Sequence, residues 1–135
     1  MKYSCLISFF LFLTTSCNNS SELILSPKHV SERFLTAYFL PDFEQIVSSC
    51  QSGTVLKLDM ERNAQTFSGY RSEIQDKIRK DLTAYHFRIE QVVLNRAKDS
   101  AFVSYLIMAP EAPDGIASRL TLVKDEHEWK VSKLL

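Results

Sequence analysis

The hydrophobic period of this chain changes once, and that change limits the architectures open to it. From Ser26 to Leu82 apolar residues recur three and four positions apart, the spacing of one face of a helix. From Tyr85 onward they alternate, the spacing of a strand with one face buried. A block of helices followed by a block of strands does not build interleaved βαβ units. It predicts an α+β fold with N-terminal helices packed on a curved antiparallel sheet of about four strands.

The helices can be placed from their punctuation. Ser26 and Pro27 read as an N-cap and first helical residue, and Val30, Phe34, Ala37 and Tyr38 share the face that follows, up to Leu40-Pro41. Asp42 with Gln45 reads as a capping box, opening a short helix whose apolar side is Phe43, Ile46, Val47 and Cys50. Ser52-Gly53 stops it. From Thr54 a third stripe carries Leu56, Met60, Ala64 and Phe67, with strand character conceivable at 54–58, and Ser68-Gly69 interrupts it. Ser72, paired with Gln75, reads as the cap of a fourth helix. It turns Ile74, Ile78 and Leu82 inward and carries Glu73–Lys77 and Asp76–Lys80 pairs outside.

In the strand block, Tyr85, Phe87 and Ile89 alternate with His86, Arg88 and Glu90, and the apolar phase then slips to Val92 and Leu94. One extra residue in a bulged strand produces such a slip. Lys98-Asp99 is a turn. Residues 101–108 are apolar on both sides, with Val103, Tyr105 and Ile107 on one and Phe102, Leu106 and Met108 on the other, which predicts a central strand covered on both faces. A loop over 110–115, a strand over 116–124, a turn over 125–127 and a strand over 129–134 complete the chain.

The first seventeen residues, MKYSCLISFFLFLTTSC, are of another kind. Lys2 precedes an apolar core, residues 5–13, broken only by Ser8, which has the length of a signal h-region and is far short of the roughly 20 residues that span a bilayer. Thr15-Ser16-Cys17 resembles the bacterial lipoprotein signal, although Thr14 stands where that signal prefers leucine. The resemblance implies cleavage after residue 16 and acylation of Cys17, with residues 17–26 as acylated cysteine and tether and 27–135 as the domain. Neither the aspartate that retains some lipoproteins at an inner membrane nor an acidic export signal follows Cys17, so the expected place is the outer membrane, facing the periplasm. The partner so implied is the membrane, through the lipid.

Without Lys2 the Lys and Arg residues number fifteen against sixteen acids, a balance that argues against a nucleic-acid or anionic-lipid binder. With Cys5 removed and Cys17 acylated, Cys50 is left without a disulfide partner and reads as a buried structural thiol.

Helices first and a meander last, closing on LTLVKDEHEWKV, resembles the nuclear transport factor 2-like (NTF2-like), cystatin-like cone, and in particular small secreted lipoproteins of that superfamily. The residues carrying the likeness are a first helix of the V-x-x-F-L-x-A-Y kind, here with three residues between Val30 and Phe34, and the hairpin with Val123, Lys124, Trp129, Lys130 and Val131. Trp129 is large enough to plug the wide end of a bent sheet. The order of elements departs from one common in the superfamily, which inserts a strand between the first and third helices.

The resemblance admits an isomerase- or dehydratase-like enzyme, which needs an acid or base in an apolar pocket facing a hydrogen-bond donor. Tyr38, Asp42, His86 and Tyr105 are the candidates, but Asp42 is better explained as a helix cap, His86 as an outward strand residue and the tyrosines as amphipathic core. No catalytic motif of the superfamily maps onto them. His29, His86 and His127 are dispersed, without the pairing of a metal site, and no cofactor-binding glycine loop is present. The favoured reading is a non-catalytic binding or envelope accessory module. In it, the face of Phe102, Leu106 and Met108 meets a second copy, an envelope protein or a small apolar ligand.

Overall fold

The computed structural model describes residues 25–135; the expected signal, Cys17 and most of the tether lie outside them. Four helices come first, Pro27–Phe39 (α1), Phe43–Ser49 (α2), Val55–Ser68 (α3) and Ser72–Leu82 (α4). Four strands follow, His86–Leu94 (β1), Ser100–Ala109 (β2), Ala112–Asp125 (β3) and Glu128–Leu134 (β4), forming one antiparallel meander in the order β1-β2-β3-β4. This is the α+β arrangement that the single change of period predicts.

The caps explain where the helices start. The Ser26 side chain accepts the His29 N–H at 3.2 Å, Asp42 accepts that of Gln45 at 3.2 Å, and Thr54 accepts that of Lys57 at 3.2 Å. Thr54 is thus a helix cap, with no strand at 54–58. The box at Asp42 is only half made, because the Gln45 amide reaches Arg33 and Ser49 instead of turning back. Ser72 is not a cap at all. Arg71 holds the N-cap position without a side-chain bond, and the Gln75 amide donates to the carbonyls of Phe67 and Tyr70, closing α3 rather than opening α4.

Helix α4 differs in depth too. None of its residues is buried, and it leans on the end of α3 through Gln75 and through Arg79, whose guanidinium lies 5.2 Å from the centre of the Phe67 ring. Its ion pairs are Lys77–Asp81 and Arg79–Asp76 rather than the two expected. On this exposed helix Lys77 has an acid one turn away on either side, Glu73 and Asp81, and Asp76 lies within reach of both Arg79 and Lys80, so the choice among them is worth little.

The core lies between α1, α2, α3 and one face of the sheet. Phe34, Leu35, Ile46, Val103, Leu120, Leu122 and Val131 are sealed there, with Met60, Tyr105 and Trp129 nearly so. The sheet bends around them because its ladders are interrupted. Glu90 is the extra residue between Ile89 and Gln91, so the phase slip in β1 is a bulge, as the sequence predicts. The expected loop over 110–115 shrinks to Pro110-Glu111, and β3 begins at Ala112. The surplus residues there are absorbed as an irregularity opposite Met108, where Gly115 has φ +94° and a Cβ would lie 3.1 Å from that of Leu106.

At the far edge the chain protects β4. The Gln51 N–H donates to the Val131 carbonyl at 2.8 Å, forming with Cys50 a single parallel bridge, and Lys130 donates to the Ser48 carbonyl at 3.0 Å. The end of α2 therefore blocks part of an otherwise open strand edge.

Candidate functional site

Of the four residues with catalytic potential, the fold brings only Tyr38 and Tyr105 near each other. Tyr105 is buried on the core face of β2 beside Ser118 and close to Tyr38. Burial pushes its hydroxyl pKa up, a hydrogen bond with Ser118 opposes this, and Tyr38 adds to the rise. Asp42 is spent on its cap, and His86 stands on the opposite face of the sheet, across from Met108. Among the described residues the buried polar side chains are Ser31 and Ser49, which donate to the carbonyls of Pro27 and Gln45 within their own helices. An acid or base held in an apolar pocket is what the isomerase reading requires, and these side chains do not supply one. His29, His86 and His127 lie on α1, β1 and the β3–β4 turn, all exposed. As a cap, Asp42 makes a simple prediction: Asp42→Ala should lower stability by about 1 kcal/mol, read as a shift of the urea midpoint with unchanged slope.

Cys50 is buried at the end of α2, and its Sγ donates to the Ile46 carbonyl at 3.3 Å. Burial pushes the thiol pKa up to about 11, opposed by nearby Lys57. A thiol so shifted is a weak nucleophile at neutral pH, consistent with a structural role.

Of three concavities that share Leu40 at the α1–α2 corner, two are lined by phenylalanine rings. One, of about 750 Å³, is lined by Pro41, Phe43, Phe67 and Arg79 among others. The other, of about 310 Å³, holds Phe39 together with Tyr85 and Phe87, the Phe39 ring lying 6.2 Å from each of theirs and nearly parallel to both. Both are open and shallow arrangements of side chains already in contact with one another.

The outer face of the sheet is different, because among the described residues no helix or strand covers it. The helices that meet the sheet do so on the core side, and Phe102, in the middle of the central strand, is 51% exposed. The expectation that this strand is covered twice is therefore corrected. The helices that reach the sheet, α1 and α3, occupy the core face, and alternation within one strand carries no information about what lies above it. Across the face the register sets Val93, Phe102, Thr121 and Lys133 in one row, Gln91, Ser104 and Arg119 in the next, and Arg88, Leu106 and Ala117 in a third. Phe102, Leu106 and Met108 do share this face, as the sequence predicts. Val93 and the cations Arg88, Arg119 and Lys133 join them only through strand pairing.

No family model matches the chain, and a search of the curated proteins also returned no match. Among solved structures, the chain is similar to a candidate NTF2-like transpeptidase from Campylobacter jejuni. The TM-score is 0.49 and the identity 16%, over 79% of this chain and 97% of that one.

Proposed function

We propose that this protein is an exported lipoprotein held to the cell envelope by acylated Cys17, with an NTF2-like domain that serves as a non-catalytic binding or accessory module. The observation that carries the binding reading is the uncovered sheet face, where Phe102 stands half out of the protein in the middle of β2, between Val93 of β1 and Thr121 of β3. An apolar side chain at the centre of a sheet usually has a layer above it, and a face left open marks a surface meant for contact. The anchor is supported by the signal-like stretch before Cys17. A few acyl chains contributing about 0.8 kcal/mol per buried CH₂ suffice to hold a domain of this size without further contact.

Two measurements test the two parts. Mass spectrometry of the mature chain isolated from a bacterial host should find Cys17 as the amino terminus, carrying acyl mass; an unmodified Cys17 would remove the anchor. Fluorescence of an apolar dye should rise on addition of the protein, and Phe102→Ser should cut that rise at least about twofold with little change in stability, because the side chain is largely exposed. Equal dye uptake by the variant would move the binding surface elsewhere, to the groove at Leu40.

A further inference from the structure

The open face is divided along its strands. At one end the register sets Asp125 of β3 beside Glu128 of β4, and beyond Leu122 the outward residues of the same strands include Lys133 and Arg119. Between Asp125 and Arg119 the face is Val123, Thr121 and, across on β2, Phe102. Glu128 is already met within the chain, 3.1 Å from Lys130, which also donates to the Ser48 carbonyl at the edge. Among the described residues Asp125 and Arg119 have no ion-pair partner. They stand three residues to either side of Leu122 on one strand. At that spacing they are about 20 Å apart and cannot reach each other.

A face laid out in this way is its own complement. Turned over by a two-fold axis that crosses the strands at the level of Leu122, a second copy brings its Arg119 over Asp125 and its Asp125 over Arg119. The same operation sets Phe102 of each copy, one residue row from the axis, against Ser100 and Val123 of the other. We propose that two copies of this chain meet face to face through this side of their sheets, with two symmetry-related Asp125–Arg119 pairs fixing the register around the Phe102 contact. The inference rests on the reading of this face as a contact surface and names its partner. It also brings Lys133 towards Lys130 of the other copy, a repulsion that Glu128 relieves by neutralising Lys130. Four strands about 4.8 Å apart and roughly eight residues long present roughly 500 Å² in projection, which places the contact among small, weakly associating interfaces. The dimer therefore forms with rising concentration, and the face is open in dilute solution.

The test uses the mature chain purified from membranes in detergent. A chain carrying both Asp125→Cys and Arg119→Cys should be trapped by mild oxidation as a disulfide dimer. Either substitution alone, like the unsubstituted chain, should run as a monomer on a non-reducing gel, because the two-fold sets each position against the other and not against itself. Charge reversal gives a second readout without oxidation. Light scattering should show Asp125→Arg and Arg119→Asp each weakening self-association at least about tenfold, and the two together restoring it to within about threefold of the unsubstituted chain. A dimer that neither reversal weakens, or that a single cysteine traps as readily as the pair, overturns the proposal. A chain that stays monomeric at high concentration also overturns it, and thiol labelling then decides what survives. If Phe102→Cys reacts with a water-soluble maleimide as fast as Leu58→Cys on exposed α3, the contact reading stands for another protein partner. Much slower reaction in a monomer means that the face is covered from within the chain, and overturns the contact reading and the second copy together.

Discussion

Phe34→Ala is expected to cost about 3–5 kcal/mol, and Phe102→Ala well under 1 kcal/mol, although both remove the same side chain. Phe34 points from the middle of α1 into the sheet and has no solvent exposure, with the Tyr38 ring 6.2 Å away. Truncating it loses the transfer free energy of the ring and leaves a cavity that α1 cannot close, because its helical neighbours Val30, Leu35 and Ala37 are already packed. Total stabilities of domains this size run to roughly 5–15 kcal/mol, so Phe34→Ala removes a large share and should lower the melting temperature by more than about 10 °C. On the other side of the sheet, Phe102 already meets water in the free domain and its removal opens no cavity. Urea titrations of the two variants check this. Comparable losses would mean that the outer face is covered after all, and would sink the binding reading.

That contrast also marks what can be read from the residues. Phe34 is assignable from spacing alone, since a helix periodicity fixes which side chains share a face. The bulge at Glu90 is equally visible, because one inserted residue flips every later side chain and the alternation records it. Phe102 lies at the limit. Its strand reads as central and apolar on both sides, which is correct, but whether a layer lies above the second side depends on how many helices remain after the first has been covered. Helix α4 shows the same limit: Ile74, Ile78 and Leu82 form a good stripe on a helix that is nowhere buried. The partners of Phe102 were the least legible. Arg119 and Lys133 are distant from it in sequence and become its neighbours only through strand register. The chemistry at Asp42, by contrast, is local, and the cap is where the sequence places it.

Stability should fall on the alkaline side, and Cys50 should be a main cause. Its thiol is neutral and buried in the folded domain, with the pKa pushed up from 9.0 to about 11 chiefly by burial. In the unfolded chain the thiol titrates near its ordinary value. Below about pH 8 both states hold the proton and the group contributes no pH dependence. Between about pH 9 and pH 11 the unfolded chain has lost it while the folded domain keeps it, so the unfolded state binds fewer protons and stability drops as pH rises. A displacement of about two pH units corresponds to about 2–3 kcal/mol by the top of that window. Tyr105 shifts in the same direction for the same first reason, burial, and steepens the fall above its own unfolded value. Urea midpoints measured from pH 7 to pH 11 should therefore decline, and Cys50→Ala should flatten the decline between pH 9 and pH 11 while costing some stability at pH 7 through the volume it removes. Conserved slopes in urea would show that the change is in stability and not in the extent of unfolding. A profile that Cys50→Ala leaves unchanged would mean that the thiol reaches water in the folded domain, and with it that the end of α2 does not close over the edge of β4 at Val131.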